Sequence, residues 1–192
     1  MKHMIVRDLM VPRSEYPVVG EDATIHEAVQ ALQEAQKRFD QSRYRHRAVL
    51  VADRKGHIVG KLGQLDMLQA LEPKYEEMRS GSGVTRLGFS RKFLVSMLDR
   101  YDLFAQPIEQ MCRHVYEQKV ARYMHRPGDG EQIEADASLD QALHLLLVCQ
   151  HQSLLVMEGE EIVGILRLTD VFSTVFAAID RCVPPSLNQD KR

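Results

Sequence analysis

The stretch Gly60-Lys61-Leu62-Gly63-Gln64-Leu65-Asp66 returns later in the chain as Gly164-Ile165-Leu166-Arg167-Leu168-Thr169-Asp170. Each copy follows an apolar Ile-Val pair, and two other segments also occur twice. Residues 6–10 return at 120–124, and residues 22–28 return at 136–142, both at an offset of 114 residues (124−10). Two copies of one unit in 192 residues predict a pseudo-symmetric pair with shared clefts, which suits ligand binding better than catalysis.

The composition is that of a soluble globular protein without a strong overall charge. Hydrophobic residues make up 44% of the chain, and 25 Lys and Arg against 27 Asp and Glu leave a net charge of -2. This balance predicts no nucleic-acid partner and no membrane partner, and no stretch reaches the roughly 20 apolar residues of a membrane helix. Cys112, Cys149 and Cys182 lack CxxC spacing, and the start contains no signal-peptide core. We therefore expect a cytoplasmic location.

Each copy predicts the order strand, helix, strand, strand, helix. Thr24 precedes Glu27 by three residues and Ser138 precedes Gln141 by three, which is the spacing of a capping box at a helix start. Two short apolar runs joined by a charged, glycine-containing turn follow in each copy and predict β-hairpins. The residues expected to form the buried helix faces are Ile25, Ala28, Val29 and Leu32, and Leu139, Ala142, Leu143 and Leu146.

Glycine ends each predicted hairpin, and aspartate follows in the first turn of the next helix. Gly60 and Gly164 have no side chain, so the backbone of a neighbour or a ligand can approach them closely. A carboxylate in the first turn is favourable beside the positive end of the helix dipole. Helix-start chemistry is therefore one sufficient explanation of Asp66 and Asp170, and ligand binding is the other.

Together these features resemble the cystathionine-β-synthase (CBS) domain, which usually occurs as a tandem pair called a Bateman module. The resemblance covers about residues 4–72 and 118–180 and is strongest in the two Gly-to-Asp segments. It implies an α/β fold with mixed sheets, in which two βαββα units lie in a pseudo-two-fold arrangement with two clefts between them. The predicted boundaries are 1–72 for the first repeat, 73–119 for a helical insert, 120–183 for the second repeat and 184–192 for a flexible tail.

The resemblance also implies a ligand and its contacts. In many members the clefts bind AMP, ADP, ATP or S-adenosylmethionine; an aspartate holds the ribose hydroxyls and a preceding Ser or Thr meets phosphate. By position, Asp66 and Asp170 take the ribose role, since a carboxylate can accept from two neighbouring hydroxyls. The other candidate ligand-binding residues are Val19 and Ile133 beside the adenine, Gly164 and Thr169 in the second Gly-to-Asp segment, and Gly63 and Arg167 at the Ser/Thr position.

Gly63 and Arg167 depart from the family pattern. Gly63 offers only its amide, so the first cleft is expected to bind weakly, to bind a ligand without phosphate, or to stay empty. A guanidinium can engage phosphate through two parallel hydrogen bonds, although Arg167 is equally consistent with a solvated or salt-bridged arginine at a helix start. If one cleft works, the sequence favours the cleft with Arg167, Thr169 and Asp170.

Basic residues are concentrated just before the first hairpin. They form either a phosphate-facing rim or, as is more usual for such runs, a solvated loop. Lys61 is a weaker candidate of the same kind. The residues concerned are Arg43, Arg45, His46 and Arg47.

The insert between the copies differs in character from both. Ser80-Gly81-Ser82-Gly83 is a predicted flexible break, and apolar residues at helical spacing on both sides of Pro107 predict two amphipathic helices. These helices either cover the module's own sheet or helices, or they form a surface for dimerisation or a partner. Homodimers are common in the family that the chain resembles.

Signatures of catalysis are missing from the sequence. It contains no GxSxG, P-loop or HExxH motif, and its eight histidines lack the spacing of metal ligands. We therefore expect a protein that is not an enzyme, with no metal and no cofactor beyond a regulatory nucleotide. The predicted function is to bind an adenosine-containing nucleotide and to signal by a conformational or assembly change, as a homodimer with an unidentified protein partner. The alternative is an interaction or dimerisation scaffold that has lost nucleotide binding.

Overall fold

The two sequence copies form the same succession of strands and helices in a computed structural model, which describes residues 4–38, 45–75 and 90–182. A short strand β1 (Val11–Pro12) precedes the first copy. The first copy forms β2 (Val18–Gly20), α1 (Ile25–Lys37), β3 (Ala48–Ala52), β4 (Ile58–Gly63) and α2 (Gln64–Gln69). The insert and the second copy add α3 (Arg91–Arg100), α4 (Ile108–Glu117), α5 (Val120–Tyr123), β5 (Gln132–Glu134), α6 (Leu139–Val148), β6 (Ser153–Glu158), β7 (Glu161–Arg167) and α7 (Leu168–Cys182).

Each copy has its own mixed sheet. In the first copy β2 pairs parallel with β3, which pairs antiparallel with β4. In the second copy β5 pairs parallel with β6, which pairs antiparallel with β7, and β1 extends this sheet as the antiparallel neighbour of β7. The predicted α/β class and the βαββα order of both copies are confirmed.

The compact units are not contiguous in sequence. Unit I contains residues 17–38, 46–75 and 90–126, and unit II contains residues 4–16, 45 and 127–182. Each unit therefore holds one copy together with the segment that leads into the other copy. The predicted boundaries divide the chain by its sequence repeat. The units observed here are divided by which residues pack together.

The two leading segments, residues 4–16 and 118–126, are attached by equivalent hydrogen bonds. In unit II the Val6 amide donates to the Ala137 carbonyl at 2.9 Å, as the Val120 amide donates to the Ala23 carbonyl at 2.8 Å in unit I. The amides of Leu139 and Ile25 donate in turn to the carbonyls of Met4 (2.9 Å) and Gln118 (3.0 Å). The duplication thus extends to the backbone attachment of the leading segments.

The helix faces expected to be core are buried against the sheets. Ile25 and Leu139, four positions into the repeated segments, are fully buried, as are Ala28 and Ala142. Each fully buried aliphatic side chain of this size stabilises the folded state by about 1.5–3 kcal/mol. Each copy has its own hydrophobic core. These cores also include Leu32 in the first copy and Leu146 in the second, and Val29 and Leu143 are partly buried beside them.

The helices of the copies begin where the capping residues predict. The Thr24 hydroxyl accepts from the Glu27 amide at 3.2 Å, and the Glu27 carboxylate accepts from the Thr24 amide at 2.6 Å. In the second copy the Gln141 side chain accepts from the Ser138 amide at 3.2 Å. Both helices therefore start one residue after the cap, at Ile25 and Leu139.

The insert forms the two expected helices, α3 and α4, and Pro107 is the residue before α4. Helix α4 packs on α1, where the Tyr116 ring stacks on His26 with centroids 4.0 Å apart. The turn between α3 and α4 is attached through the buried Glu72, whose carboxylate accepts from the Phe104 amide at 2.7 Å. Helix α4 therefore covers α1 of its own unit, as the first interpretation expects, whereas Phe93, Leu94, Val95 and Leu98 of α3 are exposed, so the second interpretation stays open for α3.

Two predicted segments, 80–83 and 184–192, lie outside the described residues. Within the described ranges, no helix is both long enough and apolar enough to cross a membrane.

Candidate functional site

The Gly-to-Asp segment of the second copy lies where β7 ends and α7 begins, beside the first leading segment. Pro12 of β1 is opposite Gly164 in the antiparallel pair. A β-carbon on Gly164 would lie 2.6 Å from the Val11 carbonyl oxygen and 2.9 Å from the Met10 sulfur. Glycine is required there because a strand passes too closely for any side chain.

The first copy repeats this close approach with the second leading segment. A β-carbon on Gly60 would lie 2.7 Å from the His125 carbonyl oxygen. The neighbouring Lys61 exchanges backbone hydrogen bonds with His125, at 3.1 and 2.8 Å. The sequence allowed either a neighbouring backbone or a ligand to approach Gly60 and Gly164 closely. In the structure a neighbouring backbone approaches each of them.

Arg167 and Asp170 form a nearly buried ion pair at the start of α7. Arg167 Nε donates to Asp170 Oδ2 at 2.5 Å, and a terminal guanidinium nitrogen donates to Oδ1 at 2.7 Å. The side chains are 8% and 19% exposed, so water screens the pair poorly. Arg167, the residue predicted to bind phosphate, therefore donates to Asp170, the residue predicted to bind ribose. Each carboxylate oxygen of Asp170 accepts one hydrogen bond from it.

Tyr16 is a third buried polar residue near this pair, and it lies outside the motifs from which the candidate residues were predicted. It is 7% exposed and follows a short 3-10 helix, Arg13–Glu15, in the first leading segment. Burial raises its pKa to about 12; the charge of Arg167 lowers this pKa and that of Asp170 raises it. The sequence contains one indication of this role. At the 114-residue offset of the repeat, Tyr16 corresponds to Gly130, so only the first copy has an aromatic residue at this position.

The corresponding segment of the first copy has different chemistry. Asp66 Oδ2 accepts from the Gly63 amide at 2.8 Å and so caps the start of α2. This is the helix-start role that the sequence offered as one explanation of the aspartate. Since Gly63 has no side chain, no counterpart of the Arg167 guanidinium exists at this position.

The remaining candidate residues divide between the two units. In unit II, Ile133 is buried in the core, and Thr169 lies in the first turn of α7, where its carbonyl accepts from Ser173 Oγ at 3.0 Å. In unit I, Val19 of β2 is half-buried against the core. The structure thus brings Gly164, Arg167, Thr169 and Asp170 together in unit II, and Gly63 and Asp66 together in unit I.

The basic residues near the first hairpin do not share one environment. Arg45 and Arg47 are exposed, whereas His46 is buried and its carbonyl accepts from Gln36 Nε2 at 2.7 Å. His46 therefore belongs neither to an exposed rim nor to a solvated loop. Lys61 is half-buried in β4, and Arg43 lies outside the described residues.

Unit II also has an open groove of about 770 Å³ beside β5 and α6. Three carboxylates, of Glu134, Asp136 and Asp140, line it together with His144. Negative charge disfavours a phosphate in this groove, in contrast to the position beside Arg167. Across the described residues, no group of three or more His, Cys, Asp or Glu side chains is arranged to hold a metal ion.

Comparison with known proteins gives one family. The profile of the CBS domain matches residues 6–73 and 120–177, which is more than half of the chain. A comparison with curated proteins finds no match.

Solved structures of CBS proteins share the fold at low sequence identity. The crystal structure of CBSX2, a protein of Arabidopsis thaliana, in complex with AMP has a TM-score of 0.56 and 18% identity, covering 91% of this chain and 98% of that one. A CBS domain-containing protein from Bacillus anthracis has a TM-score of 0.60 and 15% identity, covering 92% and 95%. The CBS domain of a bacterial CNNM/CorC family Mg2+ transporter, in complex with ATP, has a TM-score of 0.57 and 16% identity, covering 91% and 89%.

Proposed function

Because this chain belongs to the CBS domain family, as a tandem pair, we propose that it is a regulatory module that binds an adenosine-containing nucleotide beside its Gly164–Asp170 segment. The ligand is AMP, ADP, ATP or S-adenosylmethionine, and the module is not an enzyme. Similar structures hold AMP in one protein and ATP in another. Nucleotide regulation in general is therefore the function that this family supports.

The observation that carries the proposal is the pairing of Arg167 with Asp170 at the start of α7. A guanidinium can bind phosphate through two parallel bonds, and a carboxylate can accept from both ribose hydroxyls. The low exposure of both side chains strengthens such contacts, because little water competes for them. Among the described residues, no other arginine is buried.

The location of this segment suggests how binding would become a signal. Residues 10–16 belong to the segment that leads into the first copy and Gly164–Asp170 to the end of the second copy, yet they lie in one unit. A ligand that contacts both stretches stabilises the arrangement in which they are correctly spaced, and it shifts a pre-existing equilibrium by its difference in affinity. The output is a change in conformation or in assembly, in a cytoplasmic homodimer with a protein partner.

The corresponding Gly63–Asp66 site of unit I is proposed to bind weakly or to remain empty. Its aspartate caps α2 through the Gly63 amide, and the position of Arg167 is taken by glycine. Binding at one site only would leave no coupling between two nucleotides on the same chain.

A second function, an interaction scaffold without nucleotide binding, has one observation in its favour. Both carboxylate oxygens of Asp170 are already engaged by Arg167, as expected of a pair that serves only the fold. In that case Gly63 and Arg167 would mark the loss of both ligand sites.

Thermal unfolding with AMP, ADP, ATP and S-adenosylmethionine distinguishes the two functions. A ligand at 100 times its Kd stabilises the protein by about 2.7 kcal/mol, or roughly 5 to 10 °C in Tm for a chain of this length. We expect a shift with at least one ligand in the wild type and in Asp66→Asn, but none in Asp170→Asn. No shift with any ligand would favour the scaffold, and a shift retained in Asp170→Asn would refute the choice of site.

A further inference from the structure

The open groove beside β5 and α6 corresponds to a surface that unit I covers with a helix of its own. At the 114-residue offset of the repeat, His26 of α1 corresponds to Asp140 of α6, which lines the groove. In unit I helix α4 packs on α1, and the ring of Tyr116 stacks on His26. In unit II the same side of α6 is open. The repeat therefore indicates that this side of α6 can accept a helix.

The charges of the groove show what kind of helix would fit. None of its three carboxylates has an ion pair among the residues that the structure describes. In unit I the equivalent of Asp136 is neutralised, because Arg54 donates to Asp22 at 2.9 Å. In unit II the only arginine attached beside β5 by a backbone hydrogen bond among the described residues, Arg7, pairs with Glu158 instead. An occupant of the groove should therefore be positively charged.

Apolar side chains continue the groove along α6. Leu147 lies seven residues (147−140), or two turns, after Asp140 and on the same side of the helix. Leu147 and its neighbour Val148 are 69% and 67% exposed, whereas the equivalent residues of α1 are Gln33 and Glu34. Only the second copy therefore exposes apolar side chains here. The groove together with Leu147 and Val148 is called the α6 surface below.

Helix α3 of the insert has a matching order of residues on one face. Four residues share this face at i, i+3, i+4 and i+7: Arg91, Leu94, Val95 and Leu98. The three apolar side chains among them are exposed. Helix α3 contains three basic residues and one acidic residue, so its charge is opposite in sign to that of the groove. Arg91 and Leu98 are seven residues apart (98−91), as are Asp140 and Leu147.

We propose that the α6 surface binds helix α3 of a second copy of this chain. When the two helices lie side by side in the same direction, Arg91 faces Asp140 and Leu98 faces Leu147, because both pairs span two turns. The charges fix the orientation, and the apolar side chains leave water. A second copy is the occupant that covers both surfaces, and it can make the contact twice in a two-fold dimer. This inference rests on the homodimer of the proposed function but not on nucleotide binding.

Sedimentation equilibrium of the full chain measures the dissociation constant of the dimer. Leu98→Asp should raise it about tenfold or more, because an acid then meets the α6 surface. Reversing the charge of α3 with Arg91→Glu and Lys92→Glu, or that of the groove with Asp136→Lys and Asp140→Lys, should have a similar effect. The chain with both reversals should return to within about threefold of the wild type, since the charges are again complementary.

Leu68→Asp is the matched control for Leu98→Asp. It places the same acid on an exposed leucine of α2, outside both surfaces, and should change the dissociation constant by less than about twofold. Phe176→Asp tests a different dimer surface, because Phe176 is an exposed apolar residue of α7. All the substituted side chains are exposed, and circular dichroism checks that each variant is folded. The charge reversals serve if Leu98→Asp does not fold.

The outcomes separate this interface from the proposed function. A wild type that is monomeric at every concentration would overturn both the interface and the homodimer, while the thermal shifts with nucleotides still test the regulatory site. If the wild type dimerises and neither Leu98→Asp nor the reversals weaken the dimer, the interface alone is overturned. Dissociation by Phe176→Asp alone would assign the dimer to α7. Two reversals that each weaken the dimer but do not compensate when combined would also reject the pairing of α3 with the α6 surface.

Discussion

Replacing Gly164 with alanine should push strand β1 away from β7. The new β-carbon would lie 2.6 Å from the Val11 carbonyl oxygen, whereas carbon and oxygen in adjacent strands normally stay about 3.3 Å or more apart. The strands would have to separate by roughly 0.7 Å. Because the obstacle is backbone on a strand of two residues, it cannot rotate aside as a side chain would.

The cost follows from what the separation disturbs. Overpacking by one methyl group typically destabilises by about 1–3 kcal/mol, and each backbone hydrogen bond lost costs about 0.5–1.5 kcal/mol. We therefore expect Gly164→Ala to lower the free energy of unfolding by about 2 kcal/mol. For a chain of this length this corresponds to a fall in Tm of about 4 to 8 °C.

Urea and thermal unfolding, followed by circular dichroism, measure this cost against two other glycine variants. Gly60→Ala should lose a similar amount, since its β-carbon would lie 2.7 Å from the His125 carbonyl oxygen. Gly20→Ala is the control: it is a strand glycine with nothing within 4 Å of the added carbon, and it should be neutral or stabilising by up to about 1 kcal/mol. If all three variants unfold alike, the close approach of the leading segments is not why these glycines are present.

Two more predictions concern buried polar side chains. Because burial raises the pKa of Tyr16 from 10.0 to about 12, its contribution to stability should be complete below about pH 10 and lost as the pH rises towards 12. The free energy of unfolding, measured with urea between about pH 9 and 12, should therefore fall by about 2 kcal/mol less in Tyr16→Phe than in the wild type. An equal fall in both proteins would contradict the raised pKa of Tyr16. Glu72→Ala should cost about 1–3 kcal/mol, because the Phe104 amide loses its acceptor. It should also speed proteolysis between α3 and α4, while Glu109→Ala, an exposed change in α4, should do neither.

The repeated architecture was predictable because it depends on local signals. The capping boxes at Thr24 and Ser138, the apolar spacing of α1 and α6, and the two hairpins all appear in the structure. Each of these depends on residues a few positions apart, so the pattern along the chain contains the necessary information. The predicted hairpin ends at Gly60 and Gly164 were wrong, because β4 and β7 each continue three residues beyond the glycine.

The partners of the candidate site residues were not predictable in the same way. The sequence left Arg167 with two roles, and only the geometry of the turn from β7 into α7 brings its guanidinium onto Asp170. Tyr16 was missed because its proximity to this pair depends on a strand pairing between residues more than 150 positions apart, Pro12 and Gly164. The assignment of adenine contacts to Val19 and Ile133 stays a prediction.

By itself the amino-acid sequence determined that the chain contains two βαββα copies with an apolar helical insert, since periodicity and capping act within single elements. Only the tertiary structure decided that each leading segment packs with the other copy, that Gly60 and Gly164 face backbone, and that Arg167 holds Asp170. The physical reason is range: secondary structure follows from contacts between near neighbours in sequence, whereas the burial of a charge and the choice of its counter-ion depend on segments that meet only when the chain has folded.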